Sequence, residues 1–120
     1  AGKDVDGDGA LDAWTFIDTK AAFQDLAAGD TPKRVFGIAP VQATLQSERG
    51  GDVMAAAFAV PFVETVPTLT EMSLAALNVM DNNPKGFVLM IEGGAVDWAC
   101  HANFPGRMVE EMIDYNATVK

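Results

Sequence analysis

The sequence has one cysteine, one histidine and one tyrosine in 120 residues. A lone cysteine excludes an internal disulfide and leaves the redox compartment open. No apolar run approaches the roughly 18 residues that a membrane-crossing helix needs, so no membrane span is expected. Basic residues are scarce: 8 Lys+Arg stand against 17 Asp+Glu, a net charge of -9. Such a surface repels phosphate backbones and argues against nucleic-acid binding. Serine is nearly missing too, with Ser47 and Ser73 alone. There is no initiator methionine, and Ala1-Gly2-Lys3 does not open a signal peptide. Lys120 ends what reads as an unfinished helix with no Gly or Asn stop. The expectation is therefore a single fragment, residues 1–120, of a larger protein.

What the sequence does have is apolar content. At 49% it is too rich for a disordered tail, and 120 residues can bury one small core. Residues 1–13 are acidic and glycine-rich; carboxylates at alternate positions cannot line a core, so this is a loop. Trp14–Ile17 reads as a short strand. Asp18 or Thr19 caps a helix with apolar Ala22, Phe23 and Leu26, stopped at Gly29, and Arg34–Ile38 is a second strand. Strand, helix and strand in that order predict a βαβ unit with parallel strands. Residues 41–66 have no sustained period and read as an irregular excursion.

Thr68-Leu69-Thr70-Glu71 is a capping-box pattern. The helix after it carries Leu69, Met72, Ala76, Val79 and Met80 near one face, with Leu74 and Leu77 widening it. Phe87–Ile91 is apolar without alternation, the pattern of a strand buried on both faces in a parallel sheet. A last helix over 106–119 is predicted to bury Met108, Val109, Met112, Ile113 and Asn116 and to expose Glu110, Glu111 and Asp114. The fold class is α/β: parallel strands with flanking helices, three strands and three principal helices.

Two segments carry chemistry. In Ile91-Glu92-Gly93-Gly94-Ala95-Val96-Asp97-Trp98-Ala99-Cys100-His101, Glu92 leaves the end of the expected buried strand, where α/β sheets bind ligands. Asp97 and His101 are four apart, which puts carboxylate and imidazole on one helix face, and both are good zinc ligands. Glu92 offers only oxygen and suits a harder cation such as magnesium. Taken alone, Asp97 and His101 also read as a capping or surface pair, and Glu92 as a solvated strand end. Cys100 reads either as a further thiolate ligand or as a small buried side chain. The second segment sets Asp4, Asp6, Asp8, Gly9 and Asp12 at positions 1, 3, 5, 6 and 9 of a calcium loop. Position 12 falls on Thr15 where a glutamate is expected, and the alternative is a solvated acidic turn.

From Pro67 to Val119 the chain resembles the metal-dependent alkaline phosphatases, through Lys85-Gly86-Phe87, Glu92-Gly93-Gly94-Ala95-Val96-Asp97 and His101-Ala102-Asn103, with Thr68-Leu69-Thr70-Glu71-Met72 upstream. Residues 14–40 resemble the family more weakly, through Arg34-Val35-Phe36-Gly37. The resemblance implies a partial alkaline-phosphatase-like layered fold. It implies hydrolysis of phosphate monoesters through a phosphoserine, with two zinc ions and one magnesium. Glu92 then resembles the magnesium ligand, and Asp97 and His101 ligands of the water-activating zinc. It implies a periplasmic or secreted location and a homodimer in the intact enzyme. Trp98 departs from members with Lys or His there and reads either as a cover for the site or as a substrate contact. The family's Asp-Ser nucleophile motif, its phosphate-holding Arg and its remaining zinc ligands are not in these 120 residues. A noncatalytic calcium-binding or interaction module on a phosphatase-like fragment is the alternative.

Overall fold

The computed structural model, which describes residues 2–120, places six elements along the chain: β1 (Thr15–Ile17), α1 (Lys20–Ala28), β2 (Val35–Gly37), α2 (Leu69–Met80), α3 (Gly94–His101) and α4 (Pro105–Thr118). The local signals explain where the early elements begin and end. Thr19 Oγ1 accepts from Ala22 N at 3.2 Å and starts α1. Gly29 closes it, its N–H donating to Asp25 O at 2.8 Å. β1 and β2 then pair in parallel, Thr15 against Val35 and Ile17 against Gly37. The βαβ reading and the α/β class hold.

α2 begins with both halves of its capping box. Thr68 Oγ1 accepts from Glu71 N at 3.1 Å, and Glu71 Oε2 accepts from Thr68 N at 2.7 Å. Two of the four orphan amides at the helix start are thereby satisfied. The core lies between α1 and α2: Phe23, Leu26 and Ala75 are buried, with Ile17, Val35, Met72 and Val79 against them. Burying a side chain of the size of Phe23 contributes roughly 1.5–3 kcal/mol. Asn78 of α2 donates to Leu26 O and Gly29 O at 2.8 and 3.0 Å and so ties down the end of α1. The buried positions of α2 are small residues, Ser73 and Ala75, of which Ala75 packs on Phe23 and Leu26; Leu74, expected on the apolar face, is half exposed. Small side chains let the two helices approach.

Two expectations are overturned. Phe87–Ile91 is not a buried strand: Val88 and Met90 are 95% and 84% exposed, and only Leu89 turns towards the α1–α2 core. Among the described residues its backbone joins no ladder, so the sheet has two strands, not three. An apolar run becomes a central strand only when neighbours supply hydrogen bonds on both edges, and here none do. α4 is also turned over. Arg107, Glu110 and Glu111 are buried at 2%, 5% and 7% exposure, while Val109, Met112 and Ile113 face outward.

The cause lies in residues 41–66, where no helix or strand forms. Arg49 is buried there and organises the stretch with its own donors. Nε donates to Pro61 O at 3.0 Å, Nη2 to Val60 O at 2.8 Å, and Nη1 to Gln46 O and Glu110 Oε2 at 3.1 and 2.8 Å. Glu110 Oε1 accepts from Phe58 N at 2.7 Å. Gly106 lets this loop lie directly on α4, because a Cβ there would strike Ala55 O. A buried charge needs a fully hydrogen-bonded partner. The excursion provides one, and α4 rolls its polar face inward to meet it.

Candidate metal centre

α3 is short and glycine-headed. Gly93 precedes it with φ -87° and ψ 53°, a conformation open to any residue, yet a side chain is excluded there on another ground. A Cβ on Gly93 would stand 2.6 Å from Tyr115 Cδ2, and one on Gly94 would stand 3.2 Å from Glu92 Oε1. The bare Gly-Gly turn is thus what brings Glu92, the α3 start and α4 together. Asn103, at φ 56°, makes the turn from α3 into α4, and Phe104 N donates to Ala99 O at 2.9 Å. Ala99 is fully buried and packs α3 on α4.

The i,i+4 expectation is met. Asp97 Oδ1 lies 3.5 Å from His101 Nε2, and the two side chains are 74% and 80% exposed. That separation is long for a charge-assisted bond, which runs at about 2.7–2.9 Å. It suits shared ligation: two ligand atoms about 2.0–2.1 Å from one tetrahedral zinc stand about 3.3 Å apart. One carboxylate oxygen and one imidazole nitrogen, exposed and facing each other, therefore fit two corners of a zinc site. Glu92 does not join them around a single ion. Among the described residues, only Asp4, Asp6 and Asp8 form a group of three whose ligand atoms lie within 4.8 Å of one another. Glu92 and Asp97 instead share an open depression of about 480 Å³ with Ile91, Cys100, Met112 and Tyr115. Cys100 is exposed on that depression, so its reading as a buried small side chain is overturned. Trp98 is half exposed and lines a separate cavity with Glu92, Glu111 and Asp114.

The acidic loop is differently placed. Asp4 accepts from Gly7 N and Gly9 N at 2.6 and 3.0 Å, which hold its carboxyl below the usual range. Asp6 and Asp8 each accept from a backbone N–H two residues on, and Asp12 Oδ2 accepts from Val5 N at 2.9 Å. The Lys33 ammonium sits among them, 2.7 Å from Asp6 and Asp8 and 3.1 Å from Asp12. Those three carboxylates raise the Lys33 pKa well above its ordinary range, and Lys33 in turn lowers that of Asp8. Thr15, at position 12 of the loop pattern, is committed to β1. Sequence spacing found the carboxylates but not Lys33, which arrives from beyond α1.

Two residues escaped the sequence reading. Burial pushes the Glu111 carboxyl upward, with Asp114 adding to it, and its Oε1 has no hydrogen-bond partner among the described residues. Tyr115 lies against Gly93; the only hint in the sequence was a glycine with no turn geometry to demand it.

The alkaline phosphatase family model matches residues 9–120. Over 56 residues the chain is 39% identical to the membrane-bound alkaline phosphatase of Bombyx mori, covering 47% of this chain and 10% of that protein. It is 37% identical over 54 residues to alkaline phosphatase 4 of Bacillus subtilis, 45% of this chain and 12% of that one. It is 35% identical over 57 residues to alkaline phosphatase of Escherichia coli, 48% of this chain and 12% of that one. The matched segment thus spans about a tenth of the length of these relatives. No helix among the described residues is long and apolar enough to cross a membrane.

Proposed function

The chain belongs to the alkaline phosphatase family, and from that premise we propose that it is one part of a metal-dependent phosphomonoesterase, carrying ligands for one zinc and one magnesium ion. The observation that carries this reading is the exposed Asp97–His101 pair at ligand-sharing distance. Asp97 and His101 hold zinc; Glu92, an oxygen donor on the adjoining turn, holds magnesium. Bound there, the cations supply Lewis acidity towards phosphate oxygens and lower the pKa of water towards neutrality. The chain's own contribution is placement: α3 sets carboxylate and imidazole one turn apart, and Gly93 and Gly94 keep the approach clear. Ser47 and Ser73 are both buried, so neither takes the phosphoryl group. The serine nucleophile, the phosphate-holding arginine and the remaining zinc ligands come from the rest of the intact enzyme. That enzyme is periplasmic or secreted and a homodimer, as the family resemblance implies.

The test uses the intact enzyme. Asp97→Ala or His101→Ala should lose zinc and p-nitrophenyl phosphate turnover together. The loss should exceed the roughly 10–100-fold typical when only a metal's outer partners are removed. Glu92→Gln should shift magnesium dependence more than zinc content. Unchanged zinc and turnover in both α3 variants would overturn the assignment. Gene sequence flanking residues 1–120 should encode an Asp-Ser motif upstream and an Asp-His pair downstream.

A second reading, a noncatalytic calcium-binding module, is supported by the convergence of Asp4, Asp6 and Asp8, with Asp12 beside them. Calcium there has to displace Lys33. Calorimetry should give weak calcium-dependent heat that Asp6→Ala plus Asp8→Ala abolishes, and no heat in the unaltered protein would end this reading.

A further inference from the structure

We infer that Tyr115 is a positioning residue for Glu92, a role that rests on the magnesium assignment above. The ring of Tyr115 fills the space where a Gly93 side chain would project: Cδ2, Cγ and Cβ lie 2.6, 3.1 and 3.3 Å from that Cβ position. The contact is made by the near edge of the ring and its stem, so the hydroxyl is not needed for it. Gly93 sits between Glu92 and the first residue of α3, and the backbone there is free to pivot because glycine has no Cβ to brace it. What braces it is Tyr115. α4 is itself anchored, at Ala99 through the α3–α4 turn and at Arg49 through Glu110. The ring therefore relays a fixed helix onto the one turn that sets the angle between Glu92 and Asp97. Tyr115 lines the same depression as both carboxylates, together with Met112 and Ile91. Ligand geometry tolerates little displacement for a small octahedral ion such as magnesium, so the magnesium site is the one a loosened turn damages first.

Four variants of the intact enzyme test this, read by calorimetric magnesium affinity on zinc-loaded protein, zinc content and thermal melting. Tyr115→Phe keeps the contact and should bind magnesium as the unaltered protein does. Tyr115→Ala should weaken magnesium binding about tenfold, the scale of lost outer-shell support, with zinc content and KM for p-nitrophenyl phosphate unchanged. Gly93→Ala should weaken it further by forcing the ring aside. Gly93→Ala with Tyr115→Ala should recover part of that loss, because the contacts with Cδ2 and Cγ are then gone and only the residue 115 Cβ, at 3.3 Å, remains beside the added methyl. Should Tyr115→Ala melt too early to read, Tyr115→Val also removes Cδ2 and carries the same expectation. Magnesium affinity unchanged in Tyr115→Ala, while Glu92→Gln abolishes it, overturns the role of Tyr115 alone. Affinity unchanged in Glu92→Gln as well overturns the magnesium assignment and Tyr115 with it. A double variant no better than Gly93→Ala overturns the steric relay.

Discussion

The acidic loop at Asp4–Asp12 and the Asp97–His101 pair on α3 are both cation-like clusters by spacing, and they differ in what already satisfies them. Every carboxylate of the loop accepts a backbone N–H from within the loop, and Lys33 places an ammonium among three of them. Asp97 and His101 have each other at 3.5 Å and otherwise solvent. Convergence alone is therefore a poor guide to a metal site. A carboxylate whose lone pairs are taken is part of the fold; one left open beside an imidazole is available for chemistry. Glu110 extends the first class into the interior. Burial opposes its ionisation, but the Arg49 bond and the Phe58 amide outweigh that and keep its carboxyl below the usual range.

The largest expected effect comes from stripping a satisfied carboxylate of its partner. Arg49→Met takes the 2.8 Å guanidinium bond from buried Glu110 and leaves it the Phe58 amide and Arg107, 3.7 Å away; breaking a buried pair in this way should cost about 3 kcal/mol. Melting of the intact enzyme should fall by several degrees, whereas Asp97→Ala, measured metal-free, should leave it unmoved. A comparable fall in both would erase the distinction between the two classes.

Converting the satisfied loop into an open one is the next test. Lys33→Met removes the internal cation and should raise calcium affinity about tenfold, the scale of one unit charge a few ångströms away in a partly solvated site. Calorimetry showing no gain would mean that Lys33 is a bystander.

The smallest effects are in pH, and their signs oppose. Asp4 and Asp8 have folded pKa values below the ordinary 3.8, so their contribution is present above that value and is lost as pH falls through the folded one. Glu111 has a folded pKa above the ordinary 4.5, so its contribution is present below 4.5 and is lost as pH rises through the folded value. Glu111→Gln escapes that loss, and its melting advantage over the unaltered protein should grow from pH 4 to pH 7. Asp4→Asn should instead flatten the decline below about pH 4. Melting curves across that range read both.

What the sequence made legible was local. Thr19, Gly29 and the Thr68–Glu71 box each act within four residues, and the elements they bound stand where the pattern put them. The Asp97–His101 pair was legible for the same reason, since one helical turn fixes it. The misses were nonlocal. The apolar stripe of α4 was read correctly as a stripe, but Arg49, 61 residues before Glu110 in an aperiodic stretch, decides which face is buried. Phe87–Ile91 has a strand's composition, yet a strand is made by its neighbours. Lys33 reaches Asp8 across 25 residues, and Tyr115 meets Gly93 only after α3 folds back on α4. Pattern gives an element's faces; partners choose between them.

The zinc reading requires that Asp97 and His101 share one ion. Anomalous diffraction at the zinc edge from crystals of the intact enzyme tests it most directly. A peak is expected about 2.0–2.1 Å from both an Asp97 carboxylate oxygen and His101 Nε2. Zinc bound elsewhere, with Asp97 and His101 still facing only each other and solvent, would contradict it.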